Sequence, residues 1–191
     1  MRFFVALDLP EAVRQRFREL IARLKGQCPG ARWVRPEGIH VTLKFIGNTD
    51  PENFDSICTA LAAIRSEQPV GMEFRGCGFF PSERRPRVVW CGVEASANLA
   101  KLAGDIDEAL VPLGIPRDSR KFLPHLTLAR LEPEKLSPGE VQKLVRAARE
   151  LEGRSLGSAP GTAFYLFESI LKQAGAQYRK LQAFPFVKGS A

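Results

Sequence analysis

Apolar residues recur along the chain at two spacings, and the same order of spacings occurs twice. In each half, a short apolar run that favours a strand precedes a stretch with apolar residues every three or four positions, which favours an amphipathic helix. The runs are residues 3–9 and 88–93, and the helical positions are Val13, Phe17, Leu20, Ile21 and Leu24 in one half and Leu99, Leu102, Ala103, Ile106 and Leu110 in the other. The chain therefore carries an internal repeat.

Each half continues with a second strand, a second helix and a third strand. The second helix starts near Asp50 in the first half and at Ser137 in the second, where Glu140 completes an N-capping pattern. Strand-like sequence closes the halves at residues 72–80 and 162–171. A last strand, about residues 178–187, follows a turn predicted at Gly175. Each half is predicted to be β-α-β-α-β.

The second strand of each half begins with nearly the same phrase, and these phrases contain both histidines of the chain. They are His40-Val41-Thr42-Leu43-Lys44-Phe45 and His125-Leu126-Thr127-Leu128-Ala129-Arg130, which start 85 residues apart. Because side chains alternate along a strand, His40, Thr42 and Lys44 are predicted to share one face. His125 and Thr127 share a face in the same way. We expect Lys44 to be solvated or auxiliary.

The repeated phrase suits acid/base catalysis, because histidine titrates near neutrality. If the halves face each other about a pseudo-two-fold axis, both histidines and both threonines line one cleft, which suits metal-free phosphodiester chemistry. A single hydrogen-bonded histidine is commonly structural, but two copies at matching positions favour a catalytic role. Metal ligation is the weakest interpretation, because no cluster of Asp, Glu or Cys accompanies the histidines.

Charge and cysteine content narrow the class of protein. There are 28 Lys plus Arg and 21 Asp plus Glu, and the net charge of +7 favours anionic partners. No C-x-x-C pair, signal peptide or membrane-spanning run is present, so we expect a cytoplasmic protein with reduced thiols and no membrane association. Two basic clusters are candidates for RNA-backbone contacts, with ordinary solvated loops as an equal alternative. They are Arg84, Arg85 and Arg87, and Arg117, Arg120 and Lys121.

A longer ordered set of motifs accompanies the histidine phrases. Its segments are residues 2–10, 33–36, 39–47, 80–81, 85–90 and 122–130, and Glu168-Ser169 before Gly175, Tyr178 and Leu181. This set resembles the RNA 2′,3′-cyclic phosphodiesterase family, once named 2′-5′ RNA ligases, of the two-histidine (2H) phosphoesterase superfamily. The resemblance covers nearly the whole chain. It implies an α+β fold with two pseudo-symmetric lobes, each with an antiparallel sheet and helices, and an active-site cleft between them. Residues 1–191 are expected to form a single domain, built by internal duplication from about 1–85 and 86–191.

The resemblance also implies a reaction and its residues. Water would open the 2′,3′-cyclic phosphate at an RNA or nucleotide end to give a 2′-phosphate, with no metal or cofactor. His40 would be the acid and His125 the base, although the near-symmetric motifs leave an exchange of roles open. Thr42, Thr127 and Arg130 would bind the phosphate.

Arg130 and two other functions remain open at this point. Strict alternation places Arg130 on the face opposite His125, so its phosphate role requires a bulge or the strand end to redirect it.

We expect a monomer. The alternatives to hydrolysis are a 2′-5′ RNA ligase that runs the reverse reaction and a non-catalytic module that binds RNA or nucleotide phosphate.

Overall fold

A computed structural model describes residues 1–66, 68–172 and 175–186 of the chain. Within these residues, nine strands and four α-helices form the α+β fold that the sequence predicts. The strands are β1 (Arg2–Leu7), β2 (Arg32–Trp33), β3 (Val41–Asn48), β4 (Val70–Phe80), β5 (Val88–Ala95), β6 (His125–Arg130), β7 (Ser155–Gly161), β8 (Ala163–Lys172) and β9 (Gly175–Pro185). The helices are α1 (Glu11–Lys25), α2 (Phe54–Ala62), α3 (Asn98–Leu110) and α4 (Pro138–Arg149).

The helices form where apolar spacing and end signals coincide. α1 begins directly after Pro10 and carries Arg23 and Lys25 in its last turn, where cations favour the helix dipole. At the start of α4, the Ser137 hydroxyl accepts a hydrogen bond from the Glu140 backbone N–H, and the Glu140 carboxylate accepts one from the Ser137 backbone N–H. The predicted N-cap of α4 is therefore confirmed.

Several local features differ from the sequence pattern, among them the two-residue strand β2, which the pattern does not predict. The alternation rule does not predict β7, whose small residues and Pro160 are tolerated because β7 lies at an edge of the sheet. Gly175, predicted as a turn, already pairs with Lys172 as the first residue of β9, and the predicted strand end at Val187 lies outside the described residues. The helix predicted from Asp50 begins as a 3₁₀ turn over Pro51–Asn53.

The strand order is symmetric about its centre. Within the described residues the strands form one antiparallel sheet in the order β7-β4-β5-β6-β3-β1-β8-β9, with β2 paired to β6. The first lobe contains β3, β1, β8 and β9, and the second contains β6, β5, β4 and β7. The third strand of each sequence half therefore lies in the lobe of the other half. The lobes are symmetric in arrangement, but neither lobe is one half of the sequence.

The helices cover the outer face of each lobe and also exchange between halves. α3 packs on β3 and α2 on β9 in the first lobe, whereas α1 packs on β7 and α4 on β4 in the second lobe. The buried side chains between helices and sheet form the main core, which includes the fully buried Val41 and Leu126. In the described part of the chain, these four helices therefore leave the opposite face of the central strands open for a site. In the described part of the chain, no helix has both the length and the apolar composition needed to cross a membrane.

Candidate active site at the junction of the lobes

One backbone pairing joins the two histidine strands. Val41 of β3 pairs with Leu126 of β6 in antiparallel register, and these residues occupy the same position in the two repeated phrases. Antiparallel register then places His40 beside Thr127 and Thr42 beside His125. Val41 and Leu126 are buried on the core side, whereas the four polar side chains are partly exposed on the other side. The strand register therefore brings the two motifs together on one face, as the sequence pattern predicts.

Both histidines are held by the same local hydrogen bond. The Nδ1 atom of His40 lies 2.7 Å from the Gly38 carbonyl oxygen, and the Nδ1 atom of His125 lies 2.7 Å from the Leu123 carbonyl oxygen. A carbonyl only accepts, so Nδ1 carries the proton in each ring. Each Nε2 is then left to accept or donate a proton on the open face. Two such nitrogens side by side can take a proton from one atom of a substrate and give one to another.

His40 lies in a cage of aromatic side chains that the sequence pattern does not reveal. Its ring centroid lies 4.6 Å from that of Phe4, 5.0 Å from that of Tyr178 and 5.9 Å from that of Phe167. Burial in this cage lowers the pKa of His40 to about 4; the Gly38 carbonyl opposes the shift, and the charges of Arg14 and His125 add to it. His40 is therefore neutral at pH 7 in the ligand-free protein.

His125 has a different and more open surrounding. The edge of its ring faces Phe80, with 5.1 Å between centroids, and Phe80 in turn lies 5.1 Å from Trp90. Trp90 of β5 lies opposite Gly78 of β4. A Cβ at Gly78 would come within 2.3 Å of the indole ring. Only glycine leaves room for this indole. The two motifs are thus similar in sequence but unequal in environment.

A β-bulge at the same position of each histidine strand determines which of the following side chains face the site, and β3 has a second register shift after Phe45. β1 pairs Ala6 with Thr42 but Val5 with Lys44, which leaves Leu43 as an extra residue in β3. β5 pairs Trp90 with Thr127 but Val89 with Ala129, which leaves Leu128 as an extra residue in β6. The bulges occupy equivalent positions in the repeat. A bulge adds one residue to the strand, so the residues beyond it change faces.

The bulges correct one sequence-based prediction and resolve another. Lys44 was expected beside His40 and Thr42, but its side chain turns into the core and only 2% of the residue is exposed. Phe45 takes the open face instead and is 57% exposed. Arg130, at the matching position in β6, is exposed, while Ala129 is buried. The pattern of burial places Arg130 on the same side as His125.

The hydroxyls and the guanidinium of the site bond to no other side chain or backbone group in the described part of the chain. Within residues 1–66, 68–172 and 175–186, no hydrogen bond or ion pair engages the side chains of Thr42, Thr127 or Arg130. These donors are therefore available to an anionic ligand beside the two histidines. Among the same residues, no group of three or more His, Cys, Asp or Glu side chains is placed to hold a metal ion.

Comparison with known proteins assigns the family. The model of the LigT-like phosphoesterase family matches residues 7–90 and, a second time, residues 92–177. The chain belongs to the LigT-like phosphoesterases. The two matches of this LigT-like chain correspond to the two halves recognised from the apolar pattern, and each contains one histidine phrase.

Relatives of this LigT-like phosphoesterase span its full length. A protein of Archaeoglobus fulgidus named RNA 2′,3′-cyclic phosphodiesterase is 35% identical over 184 residues, which covers 96% of this chain and 99% of the relative. A protein of Thermus thermophilus has a crystal structure that matches with a TM-score of 0.79 at 30% identity and full coverage of both chains. Escherichia coli LigT, solved in complex with 3′-AMP, matches with a TM-score of 0.74 at 25% identity over 98% of each chain. The resemblance drawn from the motifs is confirmed.

Proposed function

We propose that this protein hydrolyses 2′,3′-cyclic phosphate ends of RNA to 2′-phosphate ends by metal-independent acid/base catalysis. The observation that carries the proposal is the pair of Nδ1-anchored histidines, whose Nε2 atoms share one open face with Thr42 and Thr127. The names of the full-length relatives point to the same reaction. The complex of E. coli LigT with 3′-AMP supports a nucleotide ligand.

In the proposed reaction, an oxygen of water bonds to phosphorus and the bond between phosphorus and O3′ breaks. Nε2 of His125 accepts a proton from the water, and Nε2 of His40 donates a proton to O3′. The two histidines together therefore gain one proton and lose one proton in each turnover. The product has a 2′-phosphomonoester and a free 3′-hydroxyl. The hydroxyls of Thr42 and Thr127 donate to the non-bridging oxygens and stabilise the charge that builds there.

The environment of His40 adds a condition to this mechanism. Because burial lowers the pKa of His40 to about 4, its ring carries no transferable Nε2 proton at pH 7 before substrate binds. An anionic phosphate between the rings favours the charged imidazolium and offsets the cost of burial. His40 therefore becomes an acid together with the binding of the phosphate. Arg130, with its planar fork of donors, adds positive charge to the same phosphate.

Further features of the protein follow the same proposal. We infer one domain over residues 1–191, formed by duplication of a unit of about 85 residues, because the family model matches each half once. RNA or nucleotides with cyclic ends are its substrates. We also infer a cytoplasmic monomer; the four cysteines, none of them in a disulfide, are compatible with a reducing compartment.

Replacement of either histidine tests the proposal directly. His40→Ala and His125→Ala should each lower turnover of a 2′,3′-cyclic mononucleotide by roughly 10²- to 10⁴-fold, while circular dichroism and thermal unfolding show a folded protein. The double variant should lose little more than either single variant, because the two rings act in one step. Near-normal turnover by either folded single variant would contradict the mechanism.

An assay of the wild-type protein with oligonucleotide substrates separates hydrolysis from the alternative functions. Oligonucleotides with a 2′,3′-cyclic phosphate end should give a 2′-phosphate end, with the position of the phosphate resolved by NMR. Release of joined strands as the main product in dilute RNA would favour the ligase. Binding without any turnover would favour a module that only holds phosphate.

A further inference from the structure

Lys44 is the one charged residue of the histidine phrases that lies in the core, and its ammonium group is fully engaged there. Its Nζ lies 2.5 Å from the Asp107 carboxylate and 3.4 Å from that of Asp118, and it donates to the Pro116 carbonyl oxygen at 2.7 Å. The side chain is 1% exposed. The buried ammonium is therefore compensated by one hydrogen bond and two ion pairs, which offset the cost of removing its charge from water.

These contacts hold a segment that has no regular structure of its own. Residues 115–124 form neither helix nor strand. The Asp107 carboxylate, on α3, also accepts hydrogen bonds from the Asp118 backbone N–H, at 3.2 Å to each oxygen. Lys44 and Asp107 thus fasten the first part of the segment to β3 and α3.

The far end of this segment fixes His125. Leu123 supplies the carbonyl that accepts from Nδ1 of His125, and the Pro124 carbonyl accepts from the Val93 backbone N–H at 3.3 Å. The direction of Nε2 in His125 depends on where the Leu123 carbonyl lies. Lys44 therefore connects the strand of the first motif to the support of the second histidine.

The other histidine has an equivalent support made from an unrelated residue. Position 129, which corresponds to Lys44 in β6, is a buried alanine. The segment before His40 is held instead by Arg14 of α1, which donates to the Leu9 carbonyl at 3.0 Å and the Glu37 carbonyl at 2.7 Å. A largely buried cation thus fastens the segment before each histidine, and both cations, Arg14 and Lys44, come from the first half of the sequence. The recurrence of this arrangement without sequence equivalence indicates a shared requirement.

We propose that Lys44 is a positioning residue for His125, which acts through Pro116, Asp107 and Asp118 to fix the Leu123 carbonyl. The effect on turnover rests on the function proposed above, whereas the effect on the His125 ring does not. Misplacement of a catalytic group by a fraction of an ångström to an ångström lowers the rate by one to two orders of magnitude. Substrate affinity should change little, because Lys44 does not face the open side.

The test uses Lys44→Met in the full-length chain, with Lys44→Met/Asp107→Asn as a second variant that leaves no unpaired carboxylate at position 107. Lys101→Met is the matched control. Lys101 forms an ion pair with Asp105 on the exposed side of α3, the helix that also carries Asp107. Lys44→Arg tests rescue by a retained charge. The chain has two histidines, so ¹⁵N labelling of their side chains gives one set of ring signals for each.

In a folded Lys44 variant, the His125 signals should move away from the pure Nδ1–H tautomer while those of His40 stay unchanged. Turnover of a 2′,3′-cyclic mononucleotide should fall about tenfold or more with KM within about twofold, and Lys44→Arg should recover part of the loss. Unchanged His125 signals in both folded variants overturn the proposal, whatever the activity. A wild-type protein without turnover overturns the proposed function, and the ring signals still decide the role of Lys44.

Discussion

At the scale of single residues, His40 and His125 show how one repeated phrase can yield two different groups. Both rings have the same tautomer, because each Nδ1 donates to the carbonyl two residues earlier. Their neighbours differ, since Phe4, Tyr178 and Phe167 surround His40 while His125 meets Phe80 at its edge. Inequality of this kind is useful in a reaction that needs one acid and one base.

The lowered pKa of His40 in its aromatic cage should appear in the pH dependence of stability. Its pKa in the folded protein, about 4, is below the value near 6.5 expected in the unfolded chain, so the unfolded state binds more protons between these values. This contribution is fully present above pH 6.5 and is lost as pH falls toward 4. By pH 5 the loss reaches about 2 kcal/mol.

The measurement compares the wild type with His40→Asn, whose amide nitrogen can still donate to the Gly38 carbonyl. Urea unfolding at pH 7 and pH 5 gives the change in the free energy of unfolding for each protein. Carboxylates contribute equally to both, so the change should be about 2 kcal/mol smaller in the variant. Equal changes in the two proteins would show that His40 is not shielded from protonation in the folded state.

At the scale of strands and helices, the limits of sequence-based prediction are set by the bulges. Periodicity and capping residues act locally, and they predict the four helices and the direction of His40, Thr42, His125 and Thr127. A bulge depends on which strand lies alongside, so the extra residues Leu43 and Leu128 cannot be read from their own segments. For this reason Lys44 was wrongly expected on the open face, and Arg130 could not be placed. The aromatic cage of His40 was missed because it draws on β1, β8 and β9 together.

The bulge in β6 makes a specific prediction for Arg130. Arg130→Gln should lower kcat/KM for a cyclic mononucleotide by roughly 10²- to 10³-fold, as expected when a charged donor to the developing phosphate charge is removed. Arg130→Lys should recover only part of the activity, because a lysine keeps the charge but not the planar fork.

Arg32 provides the matched control for this prediction. Arg32 lies in β2 opposite Arg130 of β6 in the strand register. Its guanidinium forms an exposed ion pair with Glu132 at 3.2 Å. Arg32→Gln should leave kcat/KM within about twofold of the wild type, since exposed ion pairs contribute little. If Arg130→Gln behaves like Arg32→Gln while both stay folded, Arg130 does not reach the phosphate and the bulge has only a structural role.

At the scale of the whole molecule, the exchange of strands and helices places the site where the two lobes depend on each other. Within the described residues, β3 and β6 join the lobes through one register pair, Val41 with Leu126, yet each lobe is built from both sequence halves. A movement of one half therefore cannot open the cleft without disturbing the core of both lobes. Under the proposed function, this junction receives the terminal phosphate, and surfaces at its rim hold the rest of a longer RNA.

We propose that the connection between β4 and β5 is such a surface. The Leu131 backbone N–H donates to the Arg87 carbonyl at 2.8 Å, so this connection lies beside the end of β6, next to Arg130. Arg87 is engaged with Glu134 at 3.1 Å, whereas Arg84 and Arg85 are exposed and form no ion pair with any described residue. These two arginines are the free cations of the cluster within the described part of the chain.

Arg84→Gln/Arg85→Gln should therefore separate RNA capture from catalysis. It should weaken binding of a long oligonucleotide with a cyclic phosphate end and reduce the slope of log affinity against log salt by about 1.4, since each phosphate contact to a single strand contributes about 0.7. A cyclic mononucleotide lacks the chain of further phosphates that these arginines are proposed to contact, so it should be turned over at the wild-type rate. Arg65, which follows α2, and Arg146, on α4, are exposed and lie in parts of the chain that carry no residue of the site. Arg65→Gln/Arg146→Gln removes the same charge, controls for net charge and should leave the slope unchanged. Equal loss on the long and the short substrate would instead assign Arg84 and Arg85 to the phosphate site itself.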